Sequence, residues 1–183
     1  MKNSKKLRVT ITGASGYIGS ALVKSFFKSN YKINIITRKK NLNYFKNKNI
    51  SSFNLNLSLE KSWEFILKNS DIIVHLHALT SILKTKENPS LSYKINVLPI
   101  VHLINVAIKK SLFPKIIFCS TATVYKQTNE LPISENHQIE TTTIYDYHKY
   151  IAEQLLIQNS NISKFNSIIL RFSNVYGYSN SES

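Results

Sequence analysis

TGASGYIG, from Thr12 to Gly19, is the segment that decides the fold of this 183-residue chain. It follows the β-branched end of a predicted strand and opens a segment with helical spacing. Glycine permits a tight turn at Gly13, close approach to a pyrophosphate at Gly16, and close helix-to-strand packing at Gly19. The N–H groups at the start of the helix would hold the phosphates, so the segment predicts a dinucleotide site. The residues expected at this site are Gly13, Ser15, Gly16, Tyr17, Ile18 and Gly19.

Strands that alternate with helices extend over the rest of the sequence, a pattern typical of a parallel α/β sheet. The β-branched runs predict strands at Leu7–Thr12, Lys32–Thr37, Ser51–Asn56, Asp71–Leu76, Lys115–Ser120 and Asn166–Arg171. Helical spacing predicts helices at Tyr17–Ser29, Leu59–Asn69, Ser90–Lys110 and Thr143–Asn159. We therefore expect one Rossmann-like, doubly wound domain over residues 1–183, with its ligands beyond the carboxyl ends of the strands.

The composition excludes several classes of protein. The chain carries 24 Lys+Arg against 10 Asp+Glu, a net charge of +14, and 43% of its residues are hydrophobic, enough for one sizeable core. The basic residues are scattered, so nucleic-acid binding is disfavoured. Cys119 is the single cysteine, which excludes an internal disulfide and a cysteine-based metal site. With no export signal and no apolar run of about 18 residues, we expect a cytoplasmic protein without membrane contact.

The end of the second predicted strand bears on the choice of cofactor. An acidic residue there binds the adenosine ribose of NAD, whereas basic residues suit the 2′-phosphate of NADP. Thr37 and Arg38 occupy this place without an acid, which slightly favours NADP over NAD. If the basic residues only solvate the start of a helix, the preference stays open. Asn56, at the end of the third strand, could bond the adenine amino group or serve as a plain turn residue.

Tyr145 and Lys149 are four residues apart in a segment with helical spacing, so both side chains project from one helix face. A lysine ammonium beside a phenol favours the phenolate and lowers its pKa, as a general base for an alcohol requires. Thr121, just past the fifth strand, offers a hydroxyl that could orient the substrate oxygen or satisfy a turn. These residues form the predicted catalytic set.

Several motifs together resemble the extended short-chain dehydrogenase/reductases, specifically the NAD-dependent epimerase/dehydratase family, and its nucleotide-sugar 4-epimerases above all. They are TGASGYIG at Thr12–Gly19, DIIVHLHA at Asp71–Ala78, INVLPIVHLINVA around Asn96, STATVY at Ser120–Tyr125, YDYHK at Tyr145–Lys149 and LRFSNVYG at Leu170–Gly177. They occur in the order that the family has and cover almost the whole chain.

The resemblance implies hydride transfer between a nucleotide sugar and a nicotinamide. Tyr145 would take the proton of a sugar hydroxyl, Lys149 would hold the nicotinamide ribose, and Thr121 would bond the reacting oxygen. Further cofactor contacts are implied at Leu76, His77, Ala78 and Asn96. Asn174 and Thr121 would contact the substrate.

Departures from the family pattern leave alternatives open. Ala122-Thr123 stand where the dehydratases have an Asp-Glu pair, which favours an epimerase or a related sugar oxidoreductase. His77 replaces a small residue and either narrows the cofactor site or turns into the core. Family members continue well past the NVYG motif, so the chain resembles a C-terminally truncated enzyme. A non-catalytic dinucleotide-binding module or an inactive fragment is the alternative. Apolar stripes on the two longest predicted helices also predict a homodimer.

Overall fold

The computed structural model describes residues 6–37, 47–162 and 164–177, so Arg38 lies outside the described residues. Six parallel strands form one sheet in the order β3-β2-β1-β4-β5-β6. The strands are β1 Arg8–Thr12, β2 Lys32–Ile36, β3 Ile50–Phe53, β4 Ile72–His75, β5 Lys115–Thr121 and β6 Asn166–Phe172. This is the strand order of the dinucleotide-binding Rossmann fold, and the predicted fold class is confirmed.

The helices are α1 Tyr17–Ser25, α2 Glu60–Lys68, α3 Ile82–Glu87, α4 Pro89–Asn96, α5 Leu98–Lys110 and α6 Ile144–Ile162. A single helix was expected over Ser90–Lys110, and this expectation is wrong because the chain breaks into α4 and α5 at Val97. Pro99 has no N–H and its ring crowds the carbonyl four residues earlier, which accounts for the break in the helix at Val97. In the first turn of α5 the missing N–H is not needed.

Two apolar clusters cover the two faces of the sheet. On one face, α2, α5 and α6 bury residues such as Trp63, Leu103 and Leu156 against the strands. On the other face, α1 buries Val23 against β1 and β2. Because both faces of the central strands are covered, their sequences are nearly continuous apolar runs.

β6 is less completely covered than the central strands. Ile168 and Leu170, which alternate with the partly buried Ile169 and so point to the α1 side of the sheet, are 41% and 38% exposed. Among the described residues, no helix packs over this part of the sheet. The α1 face is therefore open at the β6 edge.

Pro89–Lys110 has the length and composition of a membrane span, with a mean hydropathy of 1.4, contrary to the expectation that every apolar run is too short. Half of this stretch is buried inside the fold, and α5 contributes Ile100, Leu103 and Ala107 to the core. A buried core helix meets the same criterion, because packing against a sheet and contact with lipid both require apolar side chains.

Candidate active site

The turn between β1 and α1 lies against the chain that leaves β4. Gly13 has a φ of +69°, and a Cβ there would lie 2.8 Å from the backbone N of His77 and 2.9 Å from the carbonyl carbon of Leu76. Only glycine tolerates both the positive φ and the lack of space for a Cβ, so its predicted role in the tight turn is confirmed. The Thr12 hydroxyl completes the junction: it lies 2.9 Å from His75 Nδ1 and accepts the His77 N–H at 3.3 Å.

A cavity of about 610 Å³ opens beside this turn, at the carboxyl ends of β1, β2 and β3. Its lining includes the predicted cofactor residues Gly13, Ser15, Thr37, Asn56 and His77. His77 borders the cavity, and its ring centroid lies 6.5 Å from that of the buried His75, so a narrowed cofactor site and a turn towards the core both stay predictions. The cavity is large enough for the adenosine part of a dinucleotide.

Two predicted cofactor residues at this cavity already have protein partners. Thr37 donates its hydroxyl to Ser15 Oγ at 3.3 Å, so it ties the second strand to the glycine loop. Asn56 Oδ1 accepts the Ser58 N–H at 3.0 Å, which is the turn role that was considered for it. Contact of either residue with adenosine stays a prediction.

Lys94 of α4 lines the same cavity, and the sequence analysis did not identify it. The helix itself was expected, but nothing local in the sequence places this face of α4 beside the end of β3. The hydrogen bond from the Ser58 hydroxyl to the Lys94 carbonyl, at 3.4 Å, records that approach. Lys94 brings a positive charge to a cavity whose described lining contains no acid.

Asn96 supports the loop that follows β4. It is 2% exposed, its Oδ1 accepts the Leu79 N–H at 2.9 Å, and its Nδ2 donates to the Leu79 carbonyl at 3.1 Å and to Ser92 Oγ at 3.3 Å. The amide therefore holds both polar backbone groups of Leu79. Asn96 is a buried support for the segment that carries Leu76, His77 and Ala78, and its direct contact with a cofactor stays a prediction.

A second cavity, of about 760 Å³, lies at the carboxyl ends of β5 and β6. Thr121, Tyr145 and Asn174, which the sequence analysis assigned to catalysis and substrate binding, all line it. They come from the end of β5, the first turn of α6 and the segment after β6. The parallel sheet thus assembles residues that lie up to 53 positions apart in the chain.

Lys149 lies deeper than Tyr145. It is 3% exposed, and its Nζ lies 4.1 Å from the centroid of the Phe118 ring, a cation–π contact. Burial lowers the pKa of Lys149 to about 8, although the charges of Cys119 and Glu153 oppose that shift. The ammonium is therefore held in the protein interior at a cost in free energy.

The predicted effect of Lys149 on Tyr145 is wrong for the protein as this structure describes it. The pKa of Tyr145 is raised to about 12, first by burial and then by the negative charges of Cys119 and Asp146. The spacing does place both residues on α6, but the Lys149 ammonium lies over Phe118 instead of stabilising the phenolate. The acid directly after Tyr145 contributes to this shift, and it is visible in the sequence.

An ion pair fixes α6 relative to β6. Arg171 donates from Nε to both carboxylate oxygens of Glu153 at 3.1 Å and from its terminal nitrogen at 2.6 Å, and Glu153 is fully buried. The Arg171 guanidinium also lies 4.7 Å from the Tyr125 ring centroid. Loss of Arg171 would leave a buried charge without its partner, so this pair holds the helix of Tyr145 and Lys149 in place.

A glycine turn at the switch point of a doubly wound sheet, followed by a cavity with Thr, Tyr and Asn side chains, defines a dinucleotide-binding domain of the short-chain dehydrogenase class. The family model described as NAD dependent epimerase/dehydratase family matches residues 9–183. The chain belongs to that family.

Similar proteins agree with this assignment. The chain is 30% identical over 182 residues to a UDP-glucose 4-epimerase of Mycoplasma genitalium, with 94% of this chain and 54% of that protein covered. The crystal structure of a UDP-N-acetylglucosamine 4-epimerase from Methanobrevibacter ruminantium, in complex with UDP-N-acetylmuramic acid, superposes with a TM-score of 0.84 at 26% identity, covering 95% and 57%. The NAD complex of Thermus thermophilus UDP-glucose 4-epimerase shares the fold, with a TM-score of 0.82 at 22% identity, covering 93% and 56%. The chain spans about half the length of the curated relatives it matches.

We predict that Lys149→Met stabilises the protein without ligand at pH 7, because it removes a buried ammonium. The lowered pKa means that, between about pH 8 and pH 10.5, the unfolded chain binds more protons than the folded chain, so the wild type gains stability as pH rises through this window. The shift corresponds to roughly 3 kcal/mol in the free energy of unfolding. The variant should exceed the wild type by this amount at pH 7. Urea unfolding from pH 7 to pH 10.5 measures the effect.

Lys61→Met, at an exposed lysine of α2, is the matched control and should leave the pH dependence of the wild type unchanged. A destabilised Lys149→Met protein at pH 7 would contradict the account of a buried ammonium that opposes folding.

Proposed function

We propose that this chain binds a nicotinamide dinucleotide and uses it for hydride transfer at a hydroxyl of a nucleotide sugar, as in 4-epimerisation. The observation that carries the proposal is that Thr121, Tyr145 and Asn174 line one cavity at the sheet edge that also bears the glycine turn. The residues fit a dinucleotide: Gly16 leaves its backbone open to a phosphate, and the adjoining cavity lies at the first three strand ends.

The roles of the side chains follow from where they lie. Tyr145 would take the proton of the sugar hydroxyl, Thr121 would bond the same oxygen, and Asn174, from the segment after β6, would contact the sugar. The nicotinamide, when bound, supplies the hydride acceptor. Because the pKa of Tyr145 is about 12 without ligand, its work as a base requires a positive charge closer to the phenol than the Lys149 ammonium now lies.

NADP is the cofactor that we favour over NAD. Thr37 stands where an acid would bind the ribose of NAD, and Lys94 lies in the wall of the same cavity. A 2′-phosphate would gain from the Lys94 charge, whereas an unmodified ribose would find no carboxylate among the described lining residues.

Thermal unfolding with NAD, with NADP and without ligand tests the cofactor site. A ligand at about 100 times its dissociation constant adds about 2.7 kcal/mol. For a domain of this size the melting temperature should rise by several degrees, at roughly 2–4 °C per kcal/mol. Lys94→Gln should reduce the NADP shift and spare the NAD shift, and Lys61→Gln should alter neither. The absence of any shift with both cofactors in the wild type would refute the site.

A non-catalytic dinucleotide-binding module is the second candidate, and the raised pKa of Tyr145 favours it. Conversion of UDP-glucose with added cofactor separates the two. The enzyme proposal expects turnover that Tyr145→Phe abolishes, whereas the module binds cofactor without turnover. Turnover that survives Tyr145→Phe unchanged would remove Tyr145 from the mechanism.

We also propose a homodimer in the cytoplasm. Exposed apolar side chains on α4, α5 and α6 supply a surface for helix-to-helix contact, namely Leu91, Tyr93, Ile108 and Tyr147. A monomeric sedimentation profile at micromolar concentration would exclude the dimer.

A further inference from the structure

Asp146 lies in the first turn of α6, directly after Tyr145, and is 2% exposed. Its Oδ2 accepts the Thr143 N–H at 3.2 Å and the Thr143 hydroxyl at 2.6 Å, while Thr143 Oγ1 accepts the Asp146 N–H at 3.1 Å. This reciprocal pair is a capping box, which satisfies the free N–H groups at the start of the helix. The cap needs only one of the two carboxylate oxygens.

The other oxygen of Asp146 accepts a hydrogen bond from Thr123. Thr123 donates its hydroxyl to Asp146 Oδ1 at 2.5 Å, and Thr123 Oγ1 lies 2.7 Å from Thr121 Oγ1. Asp146, Thr123 and Thr121 thus form a hydrogen-bonded chain from a buried carboxylate to the residue expected to touch the reacting oxygen. All three line the second cavity.

Donor counting fixes the direction of every bond in this chain. An ionised carboxylate only accepts, so the single hydroxyl hydrogen of Thr123 is used by Asp146. Thr123 Oγ1 must then accept in its contact with Thr121, and the Thr121 hydroxyl is the donor. Because Thr123 is itself exposed, its hydroxyl could otherwise turn to solvent, and it is the carboxylate that orients it.

Thr121 has no hydrogen left for the cavity. Its hydroxyl hydrogen goes to Thr123, and its Oγ1 also accepts the Thr123 N–H at 3.2 Å. A hydroxyl oxygen has two lone pairs, so one remains, and Thr121 can meet a substrate only as an acceptor. An acceptor favours a substrate oxygen that still carries its hydrogen, and that single hydrogen must turn from Thr121 to Tyr145 before Tyr145 can take it.

We propose that Asp146 is a positioning residue which, through Thr123, fixes Thr121 as a hydrogen-bond acceptor, so that the site selects a sugar alcohol over the corresponding ketone. The nature of the ligand rests on the proposed function. The polarity of Thr121, meaning its role as hydrogen-bond acceptor towards the cavity, does not rest on that function, because it follows from hydrogen bonds within the protein.

Asp146→Asn should release the fixed direction of this hydrogen-bonded chain. The Thr143 N–H can only donate, so the oxygen of the new amide must stay on the Thr143 side, and its nitrogen must face Thr123. Thr123 Oγ1 would then accept from that nitrogen, and its own hydrogen would be free to turn to Thr121 or to solvent. Whenever it turns to Thr121, the Thr121 hydroxyl hydrogen is released to point into the cavity and to exchange with solvent.

Carbon-13 NMR in an equal mixture of H₂O and D₂O reads this polarity without any ligand. A hydroxyl that donates inside the protein exchanges slowly and gives two threonine Cβ lines, whereas a hydroxyl that points into solvent gives one averaged line. We expect two lines for Thr121 in the wild type and in Thr80→Val, a control at the same cavity outside the chain. We expect one line for Thr121 in Asp146→Asn.

Thr123→Val serves as the second variant, because it removes the acceptor of the Thr121 hydroxyl and leaves the Asp146 cap intact. In this variant the Cβ of Thr143 should still give two lines, whereas the Cβ of Thr121 should give one averaged line. A single Thr121 line in the wild type, or two Thr121 lines in Thr123→Val, would overturn the proposal.

Ligand binding tests whether Thr121 acts as an acceptor towards the sugar. The affinities of UDP-glucose and of its 4-deoxy-4-fluoro analogue are compared with reduced cofactor present, which prevents turnover. A fluorine cannot donate, so the wild type and Thr80→Val should favour UDP-glucose by about tenfold, the worth of one hydrogen bond. In Thr123→Val and Asp146→Asn the ratio should fall towards one. If Asp146 and Thr123 had a merely structural role, the substitutions would lower the affinity for both ligands and leave the ratio of the two affinities unchanged.

The outcomes separate the two proposals. If the wild type binds neither sugar, the proposed function fails and the NMR result alone decides the polarity of Thr121. If both sugars bind equally to the wild type, the selection of the alcohol is refuted while the nucleotide-sugar site stands.

Discussion

The contact of Gly13 with the backbone of Leu76 and His77 is the constraint on which the rest of the structure depends. No side chain fits at Gly13, since a Cβ would lie 2.8 Å from the His77 nitrogen, and the positive φ directs the chain into α1. β1 pairs with β2 on one side and β4 on the other, so this contact marks the point where the strand order reverses. The loops after β1 and β4 separate from there and form the crevice where such folds bind ligands.

Burial of polar groups at this crevice opposes folding. His75 is fully buried with its Nδ1 beside the Thr12 hydroxyl, and burial and the charges of His77 and Lys149 hold its pKa well below the usual value. The unfolded chain therefore binds a proton below about pH 6.5 that the folded chain does not, and stability is lost as the pH falls.

Local patterns were sufficient to predict the sheet, the glycine turn and three residues that line the second cavity, Thr121, Tyr145 and Asn174. Gly13, Tyr145 and Lys149 could be found because each lies in a short motif with a fixed spacing. Lys94 and the Asn96 support could not, because they depend on how α4 packs against the ends of distant strands. The direction of the Tyr145 pKa shift was missed for a similar reason: burial outweighs the neighbouring lysine, and burial is not visible in spacing.

Titration of the protein with NADPH, followed by the fluorescence of the reduced nicotinamide, tests most directly whether the glycine turn is a phosphate site. Gly16→Ala is the decisive variant, because its Cβ would fill the approach to the pyrophosphate while meeting the turn only at the Gly13 carbonyl oxygen, 3.2 Å away, which must give by a few tenths of an ångström. We expect saturable binding to the wild type and at least tenfold weaker binding to Gly16→Ala, an effect of about 1.4 kcal/mol, with urea unfolding of both proteins showing that the variant is folded. Equal affinity of the two proteins, or no binding to the wild type, would contradict this expectation.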